Sequence, residues 1–431
     1  MKRNRIKRVL VIAYYFPPLA MGGVQRIAKF CKYLPEYGWK PVVLTSDPRS
    51  YFALDTSLAD ELKETLVYEA GSLLSFSPAT GECFENWRGR LKKIARWVMV
   101  PDVRVLWLPW AVSMGFRLLS MFEIDCILAT APPYSSLLVA RLLSHRTGIP
   151  LVLDFRDAWV DNPLASYPTG IHRRLNVMLE GWVASGASRV VSISEEVIGG
   201  LRKRWDGNRE KYRIVNQGFD PADFEQVVEQ GDRFTICYTG SLIRTRRPDD
   251  LFHAVSRLIK EGRLESTQVE VDVVGFCPSN FVKSARSLGL EEVVRFRGYL
   301  SHAACVRHLL RADVVWLYIA ESEGKTILTG KLFEYLGSGK RIVASVPENG
   351  AAARIVRSLK VGVVVRPGDI DGLKKAVLES YERWLREDRA SVLSESLKVY
   401  DRRLLAGELA GILDEARSSP RGRMNRFQSG P

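Results

Sequence analysis

The sequence has no run of 18 apolar residues, because Pro101, Pro109, Pro132 and Pro133 cut its best candidates. A membrane-spanning helix is therefore not expected. Its six cysteines (Cys31, Cys83, Cys126, Cys237, Cys277, Cys305) lie far apart, with no C-x-x-C and no Cys/His ligand spacing. That argues against a structural zinc and for free thiols in a reducing compartment. The apolar run Val9–Ala13 is shorter than a signal peptide requires and is followed by Tyr14-Tyr-Phe-Pro-Pro18 instead of a small-residue cleavage site, so a cytoplasmic location is expected. The dinucleotide fingerprint G-x-G-x-x-G is missing too. Ala20-Met-Gly-Gly-Val-Gln25 lacks its spacing, which disfavours a nicotinamide enzyme. No helix-turn-helix, zinc or RNP-like pattern accompanies the basic charge, so nucleic acid is not an expected partner.

What is present is ordinary in amount and uneven in placement. Of 431 residues, 46% are apolar and 26% charged, which describes a globular chain of two or three domains with ample core. The net charge of +14 is concentrated in three stretches: +5 in residues 1–8, +6 in residues 86–117 and +4 in residues 416–431. The remainder is nearly neutral.

Along the chain, strand and helix alternate. Arg8–Ala13 reads as a buried parallel strand, being short, apolar and rich in β-branched residues. A Pro/Gly loop leads to an amphipathic helix over Val24–Leu34, ended by Gly38, and Pro41–Thr45 is the next strand. Cys126–Thr130, Leu151–Asp154 and Arg189–Ser192 continue the series, and Ser194 before Glu195-Glu196 is a helix N-cap with acids in the first turn. After a polar stretch the alternation restarts, with strands at Phe234–Thr239, Val269–Gly275, Val293–Arg297, Val314–Tyr318, Arg341–Ser345 and Gly362–Val365. Helices at Asp249–Lys260 and Lys331–Leu336 lie between them. Two such runs predict two Rossmann-like, doubly wound α/β domains facing across a cleft. The expected divisions are a first domain over 1–215, a linker over 216–232 and a second domain over 233–390. C-terminal helices packing back on the first domain are expected over 391–417, then a basic tail over 418–431.

Ligands of open α/β sheets bind beyond the carboxyl ends of the strands, so the loops after strands carry the candidate site. Gly22-Gly23 opens a helix and fits either a tight turn or a backbone approach to an anion. Gly240 follows a strand and precedes Arg244, Arg246 and Arg247, whose guanidinium forks suit phosphate oxygens, though a solvated charge run reads the same way. Gly330 and Lys331 open another helix, with Glu334 one turn inside it on the Lys331 face. Glu334 fits a carboxylate accepting from vicinal ribose hydroxyls or a plain Lys–Glu surface pair.

In order along the chain, Lys7-Arg-Val-Leu-Val-Ile-Ala-Tyr-Tyr-Phe-Pro-Pro18, Gly22-Gly-Val-Gln-Arg26, Thr130-Ala-Pro-Pro-Tyr-Ser-Ser136, Asp154-Phe-Arg-Asp-Ala-Trp159, Gln217-Gly-Phe-Asp220, Thr239-Gly-Ser-Leu242 and Gly330-Lys-Leu-Phe-Glu-Tyr335 resemble family 4 glycosyltransferases. The resemblance covers roughly residues 7–400 and implies the GT-B fold, with a nucleotide-sugar bound in the cleft and transferred with retention. It implies that Glu334 holds the donor ribose, that Arg246 stands where many members have a diphosphate-binding lysine, and that Gly22-Gly23 lies beneath the donor phosphates. The first glutamate of the family's E-x7-E falls at Thr326, and Gln217 replaces the usual asparagine of N-G-x-D. Lys331 and backbone near Gly330 are the expected substitutes toward the transferred sugar.

Metal-dependent transferases commonly use D-x-D, and the nearest acid pairs here, Asp249-Asp250 and Glu321-Ser-Glu323, do not fit it. The charge of the departing diphosphate is therefore expected to be met by Arg244, Arg246, Arg247, Lys331 and helix N-termini, with no metal or other cofactor. Asp157 or Arg156 is the candidate on the acceptor side. The acceptor expected from the resemblance is a lipid-linked saccharide used in making cell-surface polysaccharide. Four tryptophans (Trp87, Trp97, Trp107, Trp110) amid the basic residues of 86–117 suit an anionic membrane surface, although Trp107 and Trp110 also suit a helix core. Two other readings stay open: a GT-B nucleotide-sugar epimerase, and a non-catalytic protein that binds membrane surfaces.

Overall fold

The computed structural model describes residues 5–19, 22–48, 54–55, 57–71, 97, 99–162, 165–205, 209–242, 247–324, 327–388 and 391–418. Two compact units make up the chain: residues 1–216 with 403–431, and residues 217–402.

The first unit holds a seven-stranded parallel sheet: β1 (Lys7–Ile12), β2 (Trp39–Ser46), β3 (Leu66–Ala70), β4 (Cys126–Ala131), β5 (Leu151–Phe155), β6 (Arg189–Ser192) and β7 (Tyr212–Ile214), in the order β3-β2-β1-β4-β5-β6-β7. Successive residues of a strand face opposite sides, and here both sides are apolar. Leu10, Ile12, Leu44, Ile127 and Leu153 join one core, while Val9, Val11, Val43, Leu128 and Val152 join the other. That is why these strands read as unbroken apolar runs. The helix Gly22–Tyr33 is followed by a single turn, Leu34–Tyr37, which Gly38 ends in the left-handed conformation (φ 79°) with its N–H donating to Pro35 O.

The last helix, Arg402–Ser418, completes this unit. Leu405, Leu409 and Leu413 are buried with β1, each worth roughly 1.5–3 kcal/mol of burial. Lys7 to Asp414 (2.6 Å) and Arg189 to Glu415 (3.0 Å) fix its outer side.

The second unit has six parallel strands: β8 (Phe234–Thr239), β9 (Val269–Val274), β10 (Val294–Gly298), β11 (Val314–Tyr318), β12 (Arg341–Ser345) and β13 (Gly362–Val365), in the order β10-β9-β8-β11-β12-β13. Residues 217–232, read from sequence as a linker, belong to this unit. Phe219 is buried with Phe224 packed beside it, and a Cβ on Gly337 would lie within 2.7 Å of both rings, so that helix must carry glycine there.

In each sheet the strand order reverses once, between β1 and β4 and between β8 and β11. A crevice for ligand opens at such a reversal, beyond the carboxyl ends of the strands.

Candidate functional site

In the second unit the reversal brings the loop after β8 against the helix Gly330–Gly337. Lys331 reaches back from the start of that helix, and its Nζ donates to the Tyr238 hydroxyl at 2.6 Å, 4.2 Å from the ring centroid. Gly240 has φ 109°, a conformation that excludes a side chain on strain alone. A Cβ there would also stand 2.3 Å from Lys331 Cε. Gly275 comes as close from the other side, where a Cβ would lie 2.5 Å from the Gly240 carbonyl. Two glycines thus let a lysine and two loop backbones share one place at the head of the sheet.

Tyr335, buried in the same helix, accepts from the Thr239 backbone N–H at 3.0 Å and ties the helix to the end of β8. At the helix start, the Thr329 hydroxyl and the Gln217 side-chain carbonyl are shielded polar atoms without hydrogen-bond partners among the described residues. The Gln217 amide nitrogen is 3.7 Å from a Cβ built on Gly330. Buried polar atoms are nearly always paired, so the orphaned carbonyl and hydroxyl mark a place suited to a hydroxyl-bearing ligand, while the helix N-terminus beside them favours an anion.

Glu334 lies one turn further on, largely buried, with Oε1 3.5 Å from His302 Nε2. Burial disfavours the imidazolium of His302, but the hydrogen bond and charge of Glu334, with Asp223, prevail and raise its pKa. His302 was not foreseen from sequence, since nothing in its spacing links it to a carboxylate on another helix.

Of the arginines after β8, Arg247 is exposed and bridges to Asp249 at 2.9 Å, at the start of the next helix. Arg244, Arg246 and Thr326 lie outside the described residues.

In the first unit, Gly22 and Gly23 begin the helix after the β1 loop. Arg156 braces this region: it donates to the carbonyls of Gly23, Pro132 (2.7 Å) and Ala131 (3.3 Å), joining the loops after β1, β4 and β5. That employment separates it from its neighbour. Asp157 is half-buried and makes no hydrogen bond among the described residues. Burial raises its carboxyl pKa against the lowering pull of Arg156. Deeper in, Arg26 forms a buried ion pair with Asp154 (3.0 Å) and donates to the carbonyls of Val215 and Asn216. The Thr130 hydroxyl also donates to Asp154, at 2.9 Å. These motif residues hold the fold together.

A cavity of about 350 Å³ in the second unit, lined by Asp313, Val314, Lys340 and Arg341, lies at the amino ends of β11 and β12, the end of the sheet away from the ligand crevice.

Two family profiles match the chain: the "Glycosyl transferase 4-like domain" over residues 21–218 and "Glycosyl transferases group 1" over residues 233–383. The chain belongs to the family 4-like GT-B glycosyltransferases. Solved structures similar to this glycosyltransferase include sucrose-phosphate synthase of Thermosynechococcus elongatus (15% identity, 95% of this chain and 98% of that one, TM-score 0.67). HepE of Anabaena, solved in complex with UDP, matches at 17% identity over 95% and 99% of the two chains, TM-score 0.61. WaaG, a glycosyltransferase involved in lipopolysaccharide biosynthesis, matches at 14% over 94% and 99%, TM-score 0.62. At these identities the likeness concerns the fold. No curated protein sequence matches the chain significantly.

Proposed function

We propose that this glycosyltransferase moves a sugar, with retention and without a metal ion, from a nucleoside-diphosphate-sugar to a lipid-linked saccharide at the cytoplasmic face of a membrane. The observation that carries the donor side is the Lys331 ammonium, held against Gly240 and Tyr238 at the strand-order reversal of the second unit. In this reading the ammonium and the start of the helix Gly330–Gly337 receive the diphosphate, and Glu334 accepts from the ribose hydroxyls. Positive charge already in place needs no reorganisation as the leaving group gains charge. The UDP bound by HepE is consistent with a nucleotide ligand for this fold.

Asp157 is the residue assigned to the acceptor hydroxyl. Its unengaged carboxylate and raised pKa suit a group that exchanges a proton, whereas Arg156 is occupied with backbone. The role of WaaG in lipopolysaccharide biosynthesis supports a saccharide acceptor carried on lipid. Among the described residues no helix is long and apolar enough to cross a membrane.

A thermal-shift screen of nucleotide-sugars, followed by turnover with lipid-linked saccharides, tests the reading. Stabilisation by one donor and acceptor-dependent release of its nucleoside diphosphate are expected. Release at the same rate without acceptor would favour an epimerase-type reaction instead.

A further inference from the structure

The helix Gly170–Ser185 packs Val183 and Ala184 inward yet carries a second apolar stripe on its water-facing side. Its inner face buries Asn176 and Glu180. Asn176 Oδ1 accepts from Trp159 Nε1 at 2.9 Å, and Glu180 accepts from Val160 N, Arg204 Nε and Trp205 Nε1 at 2.8–3.1 Å. Its outer face carries Ile171, Leu175 and Met178, which are 71%, 42% and 61% exposed. The spacing i, i+4, i+7 puts them on one stripe. Beside them Trp97, 57% exposed, packs edge-on against His172 at 5.7 Å. The charged residues that this helix exposes are Arg174, one turn before Met178 and so beside the stripe, and Arg173, on the side away from it; neither enters an ion pair among the described residues.

We infer that this stripe, with Trp97 and the bordering Arg174, is the surface by which the first unit rests on an anionic bilayer, with Arg173 adding charge nearby. An apolar helix face bordered by basic residues lies in the plane of a membrane interface. Indole rings favour the headgroup level, and arginines near anionic lipid add to the attraction. A second copy of the chain is a poorer occupant, because pairing two stripes gathers the arginines of both helices with no exposed acid on either to offset them.

The same helix borders a cavity of about 360 Å³, where His172 and Asn176 line it with Tyr134, Trp159, Tyr167 and Asp102. Tyr134 and Trp159 stack at 4.7 Å there. A membrane contact on this helix would bring lipid beside an aromatic pocket suited to a sugar ring. That last step rests on the proposed lipid-linked acceptor; the membrane contact itself does not. It also differs from the surface expected from sequence, since Trp87, Arg88, Arg90, Lys92 and Lys93 lie outside the described residues.

Co-sedimentation of the full chain with vesicles of equal parts phosphatidylglycerol and phosphatidylcholine, against phosphatidylcholine alone, tests the surface. Binding should favour the anionic vesicles and fall at least about tenfold in the Ile171→Ser/Leu175→Ser/Met178→Ser variant. In Arg173→Ser/Arg174→Ser it should fall several-fold and lose much of its salt dependence. Acyl-brominated lipid should quench a fluorescence component missing from Trp97→Phe. Wild-type binding by a triple variant of unchanged melting temperature would overturn the inference. So would a change of that variant's oligomeric state, in sedimentation velocity, without a change in vesicle binding. If the triple variant does not fold, undiminished binding of the arginine variant together with an unquenched Trp97 decides against it. Titration of nucleoside diphosphates into the same preparations reports separately on the donor reading, so either can fail alone.

Discussion

Lys331 occupies the space that any side chain on Gly240 would need: a Cβ built there stands 2.3 Å from its Cε and 2.6 Å from its Nζ. The glycine, the Tyr238 hydroxyl and the ammonium therefore act as one unit. Gly240→Ala adds a methyl to a backbone at φ 109° and pushes the lysine aside, costing roughly 1–3 kcal/mol of stability from strain. Both the melting temperature and donor affinity should drop. Lys331→Met should lower donor affinity with a smaller loss of stability. Calorimetry and ligand titration on the two variants check this.

The Arg26–Asp154 pair makes a separate prediction about stability. Both side chains are 2% exposed, and removing one partner of a buried pair costs about 3–5 kcal/mol. Arg26→Met should lower the thermal transition of the first unit by more than Arg26→Met/Asp154→Leu does, because the single variant leaves a carboxylate buried alone. A double-variant loss equal to the sum of the losses of Arg26→Met and Asp154→Leu alone, in differential scanning calorimetry, would mean that the pair is not coupled.

His302 gives a pH dependence. Burial lowers its pKa, yet Glu334 and Asp223 raise it above the ordinary 6.5. A raised folded-state pKa contributes stability that is fully present below the unfolded value and lost as pH rises through the folded one. The melting-temperature advantage of wild type over His302→Gln should therefore be greatest below about pH 6.5 and shrink as pH rises above it. A difference constant with pH would show that the ion pair is not what His302 contributes.

Metal independence follows from the proposed leaving-group chemistry. With cationic groups in place of a D-x-D, turnover should persist in excess chelator. Complete loss in EDTA, restored by magnesium or manganese, would contradict it.

Most strands legible in the sequence were buried on both faces, such as Val9–Ile12 and Val314–Tyr318, because burial on both sides writes a continuous apolar run; the edge strands β10 and β13 were read from their β-branched residues instead. The strands β3 and β7 were not legible. β3 is a sheet edge with Leu66 and Val67 exposed, and β7, at the other edge, has three residues. At the site, Lys331 and Glu334 could be found because one helix turn brings them together. Tyr238 and His302 could not, since the fold alone carries them there. Arg26 was visible as part of a motif, but its spacing gave no sign that it is buried against Asp154. The burial of Glu180 in the helix Gly170–Ser185 was likewise hidden, because the partners of its carboxylate are distant in sequence.

The central claim is that Glu334 and Lys331 hold a nucleoside-diphosphate donor, and calorimetric titration of a panel of nucleoside diphosphates tests it most directly. At least one should bind the wild-type chain. Glu334→Ala, folded to the same melting profile, should bind it with a loss of about 1.5–3 kcal/mol for each charge-assisted bond removed. Binding unchanged in Glu334→Ala, or no binding of any nucleoside diphosphate to the wild-type protein, would contradict the account.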